Sequence, residues 1–132
     1  MNKRMIAGLG ALLLAGACQK NDDIAPDPAK VTMTVISPLP GQIFRSGDTV
    51  RLKATVRYPG QLHGYELLLT DSASGTVVHD LAQHVHADSF DIDGQWISAA
   101  SQPASIKLSL IADIDHDGDQ ARQDFSFTVL PR

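Results

Sequence analysis

The chain has 132 residues, of which 43% are hydrophobic, 20% charged and 5% aromatic, with a formal charge of −4. That length allows one domain and little more, and the composition is that of a globular chain. A net acidic balance disfavours phosphate binding, so nucleic acid is not an expected partner. Glu66 is the one glutamate against fourteen aspartates, and Thr, Val and Ser are abundant. Such usage favours strands over helices.

The chain begins "MNKRMIAGLGALLLAGACQKNDD". Lys3 and Arg4 precede an apolar run from Met5 to Leu14, then small residues lead to Cys18. A charged start, a short apolar core and a small-residue cleavage site mark a secretory signal. The run is too short for a spanning helix of about 20 residues. The small residues before Cys18 resemble the lipobox of bacterial lipoproteins, although Ala15 stands where that family usually has a large aliphatic. The resemblance implies a signal over residues 1–17, cut before Cys18, and a thiol and new amine carrying acyl chains such as palmitate. Two or more chains make membrane anchoring stable. A lone cysteine has no intramolecular disulfide partner, in keeping with this use. After cleavage nine basic and fifteen acidic residues remain, a net charge of −6. Gln19 follows the cysteine, and "QKNDD" resembles the short acidic signals that send lipoproteins outward. The expected address is therefore the outer membrane of a diderm bacterium. Residues 18–30 contain Pro26 and Pro28 and few apolar side chains, and are expected to act as a linker.

From residue 31 to 132 the pattern alternates with period two. "VTMTVIS" sets Val31, Met33 and Val35 on one face. "TVRLKATVRY" sets Val50, Leu52, Ala54 and Val56 against Arg51, Lys53, Thr55 and Arg57, a half-buried strand with a basic outer face. "GYELLLT" supplies Tyr65, Leu67 and Leu69; "SIKLSLIADI" supplies Ile106, Leu108, Leu110 and Ala112; "DFSFTVL" supplies Phe125, Phe127 and Val129. Turns are expected at "PLPG" (38–41), "SGD" (46–48), "YPG" (58–60), "DSASG" (71–75), Asp93-Gly94 and Asp117-Gly118. "QWISAASQ" (95–102) reads as a loop or one helical turn. The whole predicts an all-β, antiparallel, immunoglobulin-like sandwich of about seven strands.

Two groups of residues invite a metal. In "DIDHDGDQARQD" the spacing of Asp113, Asp115, Asp117, Gly118, Asp119 and Asp124 fits the calcium-loop pattern, with Asp at the final glutamate position. The flanks alternate as strands, so the stretch is first a hairpin turn between the last two strands. Four clustered carboxylates keep weak calcium binding as a second expectation. His84 and His86 flank Val85, so on a strand both imidazoles leave one face and can chelate zinc, copper or nickel with a third ligand from elsewhere. Asp88 continues that face, and His116 joins only if the fold brings it near. Catalysis has little support: no serine sits in a nucleophile elbow, and Cys18 is taken by lipid.

The order "ISPLPGQIFRSGDTVRLKATV", "LHGYELLLTD", "HDLAQHVHAD", "IKLSLIADIDHDGDQARQDFSFTV" resembles single Ig-like domains of bacterial surface lipoproteins. That resemblance implies a fold and an address but no established activity. The expected function is a membrane-anchored, non-catalytic accessory or interaction module with a protein partner. The alternatives are a calcium- or zinc-binding surface protein and a glycan-binding accessory of an uptake system. No cofactor is expected to be required.

Overall fold

The computed structural model describes residues 25–132. The signal and Cys18 lie outside the described residues. Eight strands follow one another: β1 (Thr32–Ser37), β2 (Ile43–Arg45), β3 (Thr49–Leu62), β4 (Gly64–Asp71), β5 (Val77–Gln83), β6 (Ala87–Ile97), β7 (Ala104–Asp113) and β8 (Gln120–Leu130). They form a three-stranded sheet, β1-β3-β6, and a five-stranded sheet, β2-β8-β7-β4-β5. All pairings are antiparallel except β2 with β8. The fold is the all-β, Ig-like sandwich expected, with eight strands instead of about seven.

Alternation explains the core. In β3 every second side chain from Val50 to Val56 points inward and is buried. Across the sandwich Leu67, Leu69, Leu108, Leu110, Phe127 and Val129 meet them, each 0–1% exposed. Fully burying such a side chain is worth roughly 1.5–3 kcal/mol, and a one-residue slip would turn a whole set outward. The outer face of β3 is solvated, with Lys53 paired to Asp93 at 3.4 Å and Arg57 to Asp91 at 2.8 Å. Surface pairs of this kind contribute little.

Three local expectations change. "YPG" does not turn the chain: β3 runs through Pro59 and Gly60 to Leu62. Its ladder with β6 is interrupted between Arg57 and Leu62, so the missing Pro59 N–H costs no pairing. Asp93-Gly94 lies inside β6, where Gly94 pairs with Leu52 and the Leu81 side chain covers the space a Cβ would take. Residues 98–102 of "QWISAASQ" are loop, while Trp96 belongs to β6 and packs edge-on to Phe127. The end of the expected linker is a single 3-10 turn, Pro28–Lys30, capped by Asp27; the Asp27 N–H donates to the Tyr58 hydroxyl at 3.1 Å.

Candidate metal centre

Strand register brings three links to one end of the sandwich. Leu62 pairs with Ala87, Gly64 with Asp113, Tyr65 with Gln83, and Asp113 with Gln120. The β3–β4 link is His63 alone, the β5–β6 link is residues 84–86, and the β7–β8 link is residues 114–119. Four of the five histidines therefore sit on one rim.

Each link is held in its own way. The His63 N–H donates to the Asp113 carbonyl at 2.8 Å. Beside it, a Cβ at Gly64 would stand 2.6 Å from the Gln83 carbonyl oxygen and 3.3 Å from the His84 Cα. Only glycine allows the β5–β6 link to lie this close to the β3–β4 link. The β7–β8 link is anchored by Ile114, buried in the core, whose N–H donates to the Asp119 carbonyl. Asp115 Oδ1 accepts from the Asp117 and Asp119 N–H groups at 2.9 and 3.0 Å, an Asx turn that presents His116.

The imidazoles meet as a result. Ring centres of His63 and His116 are 4.2 Å apart, and those of His63 and His86 are 4.5 Å apart. One ligand nitrogen from each of His63, His86 and His116 lies within 4.8 Å of the other two. Among the described residues, this is the group of metal-ligating side chains so gathered. A zinc ion with Zn–N of about 2.0–2.1 Å needs nitrogens about 3.3 Å apart, so the rings must draw inward. His86 and His116 are exposed and free to turn. Gln61 Oε1 lies 3.3 Å from His86 Nδ1, an outer-sphere partner that would fix the ring's tautomer and direct Nε2 to an ion.

The electrostatics suit a metal. Burial first, then the charges of His116, His86 and His84, lower the His63 pKa, while Asp115 opposes this. This environment favours the neutral ring, the form with a lone pair to give. Its Nδ1 is buried and has no hydrogen-bond partner among the described residues. A buried imidazole nitrogen without a partner is costly unless something polar or cationic meets it.

The sequence-derived candidates divide. His84 and His86 are together, on a link and not on a strand, because the chain crosses there from one sheet to the other. His116 joins them. Asp88 is in β6, outside the imidazole group. Of the calcium-loop carboxylates, Asp113 accepts from Gln120 Nε2 and Asp115 is engaged by its own loop's N–H groups. Asp117 and Asp119 are exposed on that loop. Asp124, twelfth in the spacing, is inside β8, bonded to Arg122 and Ser109. The hairpin expected there is present, with Gly118 at φ 100°. His63 has no motif around it in the sequence; its signal is its place in a link at the same end as the other two. Tyr58 and Tyr65 are buried and pack in the core.

The chain is similar to fibronectin(III)-like modules of Clostridium thermocellum CbhA, with 20% identity, TM-score 0.47, and coverage of 76% of this chain and 94% of that one. It is also similar to the CARDB domain of a Pyrococcus furiosus protein solved in complex with di-metal ions, with 12% identity, TM-score 0.43, and coverage of 76% and 93%. No protein-family model and no curated protein matches the chain.

Proposed function

We propose that the protein is a tethered, non-catalytic Ig-like module that binds a transition-metal ion of the zinc class at the bacterial cell surface. The observation that carries the reading is the meeting of His63, His86 and His116 from three separate links. Imidazole suits zinc, copper and nickel, whereas calcium takes six to eight oxygens. The β7–β8 link that presents His116 also carries Asp115, Asp117 and Asp119, and negative charge on that link favours cations near it. The tether is the acylated Cys18 that the lipobox resemblance implies, and it holds the module at the outer membrane.

Calorimetric titration of the full chain with zinc is expected to show one site. Competing protons weaken it as pH falls, because the ligands must be neutral. Millimolar calcium is expected to leave the melting temperature unchanged. No heat with zinc, or a larger shift with calcium, would overturn the metal assignment. Membrane fractionation tests the tether: Cys18→Ser is expected to leave the membrane fraction, and retention with unchanged mass would refute it.

A further inference from the structure

Three ligands leave a tetrahedral ion with an open position, and the nature of the fourth ligand decides what the centre does. Catalytic zinc keeps that position for water, whereas a structural or storage site closes it with a side chain. Resting on the zinc-class reading above, we propose that His84 is the fourth ligand, so that the ion is enclosed by four imidazoles and ties three links together.

The ring spacings carry this. Four imidazoles on one zinc at about 2.0–2.1 Å have ring centres about 5 Å apart in a tetrahedron. The His84 ring centre is 5.2 Å from that of His86 and 6.0 Å from that of His116. The other spacings are 4.2 Å for His63 with His116, 4.5 Å for His63 with His86, and 5.7 Å for His86 with His116. Five pairs thus bracket the tetrahedral value. His84 is exposed, so its ring turns inward without opening the core. Its backbone is pressed against Gly64, directly after His63, which fixes where that ring pivots.

Four neutral ligands leave the ion's two positive charges uncompensated within the first coordination sphere. Asp115, whose charge already acts on His63, supplies negative charge just outside it. The set selects ions content with four nitrogen ligands in a tetrahedron, zinc and cobalt(II) among divalent ions, and leaves no site for a hydrolytic water.

The test uses the full chain carrying Cys18→Ser, so that no thiol competes, with His63→Ala, His84→Ala and a His79→Ala control. His79 is on β5, away from the cluster. Cobalt(II) is the spectroscopic probe and zinc the affinity probe, measured against a chromophoric chelator. The parent is expected to give the intense visible bands of tetrahedral cobalt. His84→Ala should weaken zinc by at least about a hundredfold, the upper end of what losing an outer-sphere partner costs, and should also weaken those bands. His79→Ala should change neither. Melting curves in excess chelator confirm that each variant folds. If the parent binds and His84→Ala keeps its affinity and spectrum, the fourth ligand is water or another chain; this inference falls while the zinc reading stands. If the parent binds neither metal, both fall.

Discussion

The two ends of the sandwich are built on different principles. At the end away from the histidines the loops close on themselves. Gly47 N–H donates to the Ser98 carbonyl, Ser98 N–H to the Asp48 carbonyl, the Ser98 hydroxyl to the Arg45 carbonyl, and Ala100 N–H to the Ser46 hydroxyl. Asp71 caps its own turn through the N–H groups of Ala73 and Ser74. At the histidine end the His63 and Ile114 N–H groups are bonded within the loops, but side-chain nitrogens of three histidines crowd together and His63 Nδ1 is left over. One end is complete with the protein's own atoms; the other has spare ligand capacity concentrated in one place.

That contrast can be broken experimentally. The largest effect belongs to the imidazoles: zinc at a hundred times its dissociation constant should stabilise the parent by about 2.7 kcal/mol, and His63→Ala should abolish the gain. Thermal melts with and without zinc read it, and equal gains in parent and variant would make the two ends alike. Next is Gly64→Ala, whose Cβ must displace the Gln83 carbonyl. It should cost about 2 kcal/mol by chemical denaturation and weaken zinc too, because overpacking moves the β5–β6 link. Ser98→Ala at the opposite end should cost about 1.5 kcal/mol, because the Arg45 carbonyl loses the hydroxyl of the buried Ser98, with no change in zinc affinity. The smallest effect concerns Asp124, midway between the ends. Its bond to Arg122, assisted by Ser109, holds its carboxyl below the ordinary 3.8. The lower folded-state value means stability that is present above that ordinary value and lost as pH falls through the depressed one. Asp124 is half-exposed, so Asp124→Asn should cost under about 1 kcal/mol at neutral pH and flatten the acid limb of the stability curve.

The strand with strict alternation, Val50 to Val56, was legible because burial on one face forces the pattern; in β7 the inward set Ile106, Leu108, Leu110 and Ala112 was legible too, although Ser109 and Ile111 on its other face are also buried. β2 was not. Three residues cannot show a period, and its partner is β8, at the far end of the chain. "YPG" misleads because proline usually presets a turn, whereas here it occupies a stretch of strand that lacks a ladder partner. The acidic stretch shows how spacing deceives: Asp124 has the right count from Asp113 but faces Ser109 across the ladder, because β8 has already begun. The His84–His86 pair was visible, and the third ligand was not, because proximity of His63 and His116 is a property of strand order. Alternate links of an antiparallel sandwich share an end, so histidines in every second link are a detectable signal once the strands are counted correctly.

Where the chain enters the sandwich has a geographical consequence. Asp27 touches Tyr58, and Thr32 pairs with Arg57, beside the bulge that leads to Gln61 and His63. An acyl anchor at Cys18 would therefore pull on the histidine end, through residues 19–27, with a reach of at most about 30 Å. The imidazoles would look down at the lipid, while the loops around Gly47 and Ser98, with the C-terminal Arg132 beside them, look out to the medium. If the module is anchored and displayed outward as proposed, the self-closed end would be the one turned towards an arriving protein.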